Sequence, residues 1–139
     1  MEYFISTDKT KLDIEKIHNY ISKESYWAME RTMEQTQSTI KNCLCFGMYS
    51  KSNEQLAFVR FVTDHVFFGY IMDFIVFPEH QGQGFGKKFM EFIMKYEVVK
   101  NLNTIGLKTK DAQGFYKQFG FEKIGDSELW MANDRQILS

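Results

Sequence analysis

Three glycines in five residues, Gly82, Gly84 and Gly86, separate a long apolar segment from the clearest amphipathic helical pattern in the chain. Glycine tolerates positive φ and lets a backbone approach a ligand closely. A helix start offers unpaired N–H groups and the positive end of the helix dipole. A strand, a glycine turn and a helix N-terminus, in that order, build an anion site suited to a pyrophosphate. Lys87 and Lys88 add positive charge beside it. A turn that merely began a helix would lose chain entropy to three glycines with no return.

Spacing removes two rival phosphate motifs. A P-loop needs four residues between its first glycine and Gly-Lys, followed by Ser or Thr. Here Gly82 to Gly86 leaves three, and Lys88 stands where the magnesium-binding hydroxyl belongs. A dinucleotide fingerprint needs its third glycine three positions after the second, and that position is Lys87. The strands before the loop also read as hairpins rather than repeated crossovers.

The remaining pattern frames that loop. Strands are expected at Tyr3–Ser6, Cys43–Ser50, Gln55–Asp64, Val66–Phe77 and Thr104–Lys108, with a closing pair at Phe121–Ile124 and Leu129–Ala132. Helices are expected at Lys11–Ser22, capped by Asp8 or Thr10, at Thr32–Asn42, over 84–100 and at Ala112–Gln118, where Gly120 stops the last one. Phe85, Phe89, Phe92, Ile93 and Tyr96 form the apolar face of the third. Hairpin strands followed by one β-α-β crossover imply a mixed α/β (α+β) fold, with helices on both faces of the sheet. No repeat, linker or low-complexity tract divides the 139 residues, which suit a single domain over 1–139.

Composition excludes several partners. Seventeen basic and 18 acidic residues give a net charge of −1, without the basic field that nucleic acid requires. No run reaches about 18 apolar residues, so no membrane span is expected, and the first ten residues lack a signal-peptide core. Cys43 and Cys45 would share one strand face, a poor geometry for a disulfide and too few ligands for zinc. They read as buried free thiols in a reduced, cytoplasmic protein. His65 and His80 have no Cys or acid partners at metal spacing in the sequence, so no metal is expected, and His80 reads as a loop residue.

The segment from Val76 to Lys88 resembles the acetyl-CoA signature of the GCN5-related N-acetyltransferase (GNAT) family, Gln/Arg-x-x-Gly-x-Gly/Ala, met by Gln81, Gly84 and Gly86. A second family motif, Phe-Tyr-x-x-x-Gly-Phe, is met by Phe115–Phe121. Two motifs in order and at the right separation are far more specific than either alone. The resemblance implies the GNAT fold, a central mixed, mostly antiparallel sheet flanked by helices.

It also implies acetyl-CoA as acetyl donor. Backbone groups of Phe74, Ile75 and Val76 would meet the pantetheine arm, in a wedge where the next strand splays away. The backbone of Gln81, Gly82, Gln83, Gly84, Phe85, Gly86 and Lys87 would hold the pyrophosphate. Thr109 stands where relatives often carry Asn. Tyr116 would be the general acid for the leaving thiolate, since a phenol of pKa about 10 can donate to it.

The amine must lose a proton, through Asp73 or through water. Asp73 is an acid inside an apolar strand, which must face the cleft, find a partner or shift its pKa. Backbone N–H near Val76 would polarise the thioester. Tyr26, Trp27 and Arg31 fall where the family places part of its acceptor site. The expected reaction is direct transfer to a primary amine of a small molecule or peptide. A CoA-binding domain without turnover and a nucleotide binder are the alternatives. A homodimer through the terminal strands is compatible with the pattern.

Overall fold

The computed structural model describes residues 2–24, 30–125 and 127–135. The chain forms two compact units, Met1–Lys108 and Thr109–Ser139. The first holds a five-stranded sheet in the order β1-β2-β3-β4-β5, formed by Tyr3–Ser6, Leu44–Ser50, Gln55–Thr63, Phe68–Val76 and Thr104–Leu107. Neighbours are antiparallel from β1 to β4, and β5 lies parallel to β4. The mixed, mostly antiparallel sheet expected from the sequence is therefore present.

Helix α1 spans Ile14–Glu24 and α2 spans Met33–Asn42. Asp13 opens α1 by accepting the Lys16 amide at 3.1 Å, while Asp8 caps a separate 3-10 turn at Lys9–Lys11. Thr32 and Gln35 form a reciprocal capping box at the start of α2, which satisfies two orphan donors. Ile17, Ile21 and Ile40 from these helices pack on Cys43, Cys45, Phe58 and Ile75. Both cysteines are free and buried, and burial pushes the Cys45 thiol up to about 12.

Successive strand residues face opposite sides of a sheet. Phe74, next to Ile75, tilts against Phe89 of α3 at 5.7 Å. Helix α3, Phe85–Lys95, thus covers the other face, burying Phe85, Phe89, Met90 and Ile93.

Three features of this unit differ from expectation. Tyr96 takes ψ 137° and divides the expected helix into α3 and a short α4, Glu97–Lys100. Its ring meets Phe46 edge-on at 5.0 Å, so packing overrides a sequence that carries no breaker. Phe92 is 43% exposed because the expected stripe is wider than the contact with the sheet. Strand β4 starts at Phe68, not Val66, because Asp64 Oδ1 accepts the amides of Val66, Phe67 and Phe68 at 2.9, 2.8 and 3.2 Å. Those bonds hold the chain in a turn.

In the second unit, α5 covers Gln113–Lys117. The expected strands at Phe121–Ile124 and Leu129–Ala132 are irregular chain. Leu129 and Met131 stand 91% and 93% exposed. The alternation is real, but two short segments with no further strand among the described residues of this unit bury too little to form a stable ladder.

Candidate active site

The glycine loop follows β4 directly. Pro78–His80 makes a 3-10 turn, the Phe77 amide bonds Leu56 O at 3.1 Å, and the Gln81 side-chain amide donates back to Val76 O at 2.9 Å. Gly82 and Gly84 have φ of 78° and 83°, a region side chains disfavour. A Cβ at either would meet nothing within 4 Å, so the backbone conformation demands glycine and the space above is open. Gly84 caps α3 without a side-chain bond. The first helical bond runs from the Lys88 amide to Gly84 O at 3.3 Å. The amides of Phe85, Gly86 and Lys87 therefore lack a helical acceptor and carry the positive end of the dipole. Open space, free donors and positive potential coincide, which fits a pyrophosphate; Gln83 and Lys87 are exposed beside it.

A gap in the sheet leads to that cradle. The parallel ladder pairs Phe68 with Thr104 through Ile71 with Leu107, while β4 runs on to Val76. Along Met72–Val76 no β5 residue pairs with β4. The side chain of Phe74 goes to α3 and that of Ile75 to the core, so these residues turn only backbone edges toward the gap.

Asp73 sits at a bulge in β4. Phe58 pairs with Ile75 and Arg60 with Met72, so Val59 opposes both Asp73 and Phe74. Asp73 has φ 54° and its side chain is 1% exposed. It accepts from Arg31 Nη1 at 2.6 Å and Nη2 at 3.2 Å, and from Arg60 Nε at 2.6 Å. Arg60 Nη1 also reaches Cys43 Sγ at 3.5 Å. Burial alone would raise the carboxyl pKa. The Arg31 hydrogen bonds and the charge and hydrogen bond of Arg60 outweigh burial and hold it below its ordinary value of 3.8. Asp73 and Arg31 are thus brought together, and Arg60 joins them. Sequence reasoning passed over Arg60. Its signal was an arginine inside an apolar strand, on the hairpin partner of the strand carrying the lone buried acid.

In the second unit the Phe115–Phe121 motif forms one closed piece. The Tyr116 ring meets Phe115 at 5.1 Å and Phe121 at 5.9 Å. Gly120 takes φ 91° and its amide bonds Lys117 O at 3.2 Å. Tyr116 is buried, which pushes its phenol up to about 12. Thr109 Oγ1 accepts the Ala112 amide at 3.1 Å, just before α5. Tyr26 and Trp27 lie outside the described residues.

The reading of His80 as a plain loop residue without acid partners is corrected. Its Nε2 lies 3.0 Å from Glu54 Oε2 and 3.8 Å from Glu79 Oε1. All three ligand atoms fall within 4.8 Å of one another. The Lys16 ammonium stands among the carboxylates, 2.8 Å from Glu79 Oε1 and 3.9 Å from Glu54 Oε2, where a metal cation would have to displace it. The partners of His80 come from distant segments and from Glu79 beside it, so local spacing conceals the group. No helix among the described residues is long and apolar enough to cross a membrane.

Residues 41–123 match the family model described as an acetyltransferase (GNAT) domain. A crystal structure of a GNAT-family protein from Xanthomonas campestris pv. campestris superposes with a TM-score of 0.89 at 33% identity, covering 96% of this chain and 94% of that one. The "Uncharacterized N-acetyltransferase ycf52" of Gracilaria tenuistipitata var. liui is 30% identical over 114 residues, 78% of this chain and 60% of that protein. The chloroplastic GCN5-related N-acetyltransferase 2 of Arabidopsis thaliana is 33% identical over 78 residues, 55% of this chain and 30% of that protein. The chain thus spans less than two thirds of the length of these curated relatives.

Proposed function

The chain belongs to the GNAT acetyltransferase family, and on that premise we propose that it moves the acetyl group of acetyl-CoA directly to a primary amine of a small molecule or peptide. The observation that carries this reading is the β4–β5 ladder, which stops at Ile71 and Leu107 just before the glycine cradle. A pantetheine arm carries amides that the backbone of Phe74, Ile75 and Val76, beyond the last β5 pairing, would bond. The pyrophosphate would then lie on the amides of Gln81–Lys87, with Lys87 adding charge. Thr109 is proposed beside the arm, where its hydroxyl already serves the turn into α5.

Asp73 makes a poor base. An amine of pKa about 10.4 would have to protonate a carboxylate whose pKa is held below 3.8 by two guanidinium groups. That transfer is uphill by more than about six pH units, which is too steep to help turnover. The amine proton is therefore proposed to leave through a water chain to bulk solvent, where at neutral pH its loss costs about three pH units rather than six. Asp73 instead fixes Arg31 at the entrance to α2, and Arg31 borders the acceptor. Tyr116 protonates the leaving thiolate; the phenol is neutral at working pH, and the burial that pushes it up to about 12 makes it a weaker donor until the developing thiolate is beside it.

Release of free thiol from acetyl-CoA, assayed across polyamines, aminoglycosides, amino acids and peptide amines, tests the reading. Turnover with one amine class, abolished in Tyr116→Phe while acetyl-CoA still binds, supports it. Binding of acetyl-CoA with no turnover on any amine would favour a CoA-binding domain. Tight ATP binding without acetyl-CoA binding would sink both.

A further inference from the structure

The cluster around His80 has a geometric relation to the cradle that the family motif does not contain. His80 immediately precedes Gln81, the first residue of the loop. Its ring also meets Phe85, the first residue of α3, edge-on at 6.5 Å. One buried imidazole therefore touches both ends of the segment that carries Gly82 and Gly84. On its other side the ring is bonded to Glu54, in the turn between β2 and β3, at 3.0 Å.

Lys16 supplies a second fastening. Its ammonium donates to Gln55 O at 2.9 Å, pairs with Glu79 at 2.8 Å and lies 4.5 Å from the Phe77 ring centroid. That hydrogen bond and charge hold the Glu79 carboxyl below its usual range. Lys16 is itself set by its neighbours: its own amide bonds Asp13 Oδ1, and the Asp13 amide bonds buried Gln55 Oε1 at 2.7 Å. The first turn of α1, the start of β3 and the residues before the glycines are thus joined through one charged group.

We propose that Glu54 and His80, reinforced by Lys16 and Glu79, form a clamp that positions the pyrophosphate-binding loop, with His80 as the positioning residue. Glycines that accept positive φ also leave the unfolded loop many conformations. A loop that must be ordered on binding costs affinity, and a loop held beforehand does not. The clamp acts on the backbone from outside, so it needs no contact with the ligand. The link to acetyl-CoA rests on the function proposed above; the ordering of the loop does not.

Two measurements on the full chain separate those claims. In the ligand-free protein, Glu54→Ala and His80→Ala should speed exchange of the bonded amides of Gln81 and Lys88, which flank the glycines, while leaving β2 and β3 unchanged. His80→Gln, whose amide can still donate to Glu54, should restore slow exchange. With acetyl-CoA, His80→Ala should raise both Kd and KM by about tenfold, the cost of lost pre-organisation, with kcat within about twofold. Unchanged exchange at Gln81 and Lys88 in both alanine variants overturns the clamp, as does a loss of kcat with Kd unaltered. If His80→Ala fails to fold, Glu54→Ala, which removes the acceptor and leaves the imidazole in place, reads the same exchange. Faster exchange in a protein that does not bind acetyl-CoA even as wild type would uphold the clamp and reject the proposed function.

Discussion

Arg60 Nε lies 2.6 Å from Asp73 Oδ2 across the β3–β4 hairpin, and both side chains are almost wholly shielded from water. Removing one partner of such a pair leaves the other charge buried and uncompensated, at a cost of about 3–5 kcal/mol. Asp73→Asn should therefore lower the denaturant midpoint sharply. kcat should fall only in proportion to the folded fraction while the amine KM rises as Arg31 loosens; a fully folded Asp73→Asn protein with kcat abolished would restore Asp73 as the base.

The same pair gives a pH dependence of defined sign. The folded pKa of Asp73 lies below its ordinary 3.8, so the unfolded chain takes up the proton first as pH falls. The stabilisation is complete above about pH 5 and disappears as pH drops through the folded pKa. The stability gap between wild type and Asp73→Asn should be constant near neutrality and close in acid. A gap that widened in acid would contradict the ion pair.

Tyr116→Phe should reduce kcat by about 10²- to 10⁴-fold, the usual worth of a positioned proton donor, with the acetyl-CoA Kd preserved. Burial pushes this phenol up to about 12, so it stays protonated through ordinary assay conditions. The wild-type rate should show no alkaline loss from this group at or below roughly pH 10, the pKa of a free phenol. A fall centred there would assign the ionisation elsewhere or place the phenol in water.

Gly84 separates backbone strain from ligand contact. Gly84→Ala puts a Cβ into the left-handed region, costing about 1–2 kcal/mol, yet that Cβ meets no protein atom within 4 Å. Gly84→Asn suits positive φ better and should recover much of that stability. If a pyrophosphate lies over this residue, Gly84→Asn should still bind acetyl-CoA poorly. Recovery of both together would show that the glycine serves conformation alone.

The Tyr49 hydroxyl is buried with no hydrogen-bond partner among the described residues, and burial pushes its pKa up to about 12. Its ring stacks on Phe4 at 5.2 Å and covers Gly47. Tyr49→Phe keeps the ring and removes the orphan, so thermal melting should show a gain of about 1 kcal/mol. A loss of stability would reveal a partner for the hydroxyl.

Much of this was readable in the chain because the signals were local. The glycines declared a turn of positive φ, and the spacing of Phe85, Phe89 and Ile93 declared the helix that follows it. Tyr96 was not readable: nothing in its own identity breaks a helix, and the ring of Phe46 that anchors it is 50 positions away. Asp73 was visible as a buried acid, but its meaning depended on Arg60 and Arg31, one across a hairpin and one before a helix. The group around His80 draws Lys16 and Glu54 from separate elements, which only the fold brings together. The terminal alternation misled because a period of two describes a strand without supplying its partner.

The order in which the strands join has a consequence for assembly. β2, β3 and β4 follow one another through short turns, so their contacts are local and close early. β5 reaches β4 only after α3 and α4 have crossed the sheet, and it adds a short parallel ladder at one edge. Late, short and peripheral contacts are the first to open in a native protein. The cleft floor is thus laid down by the most durable part of the sheet, and its movable wall by the least. In hydrogen exchange, Thr104–Leu107 should open well before β2–β4, widening the gap already present beyond Ile71 without unfolding the core.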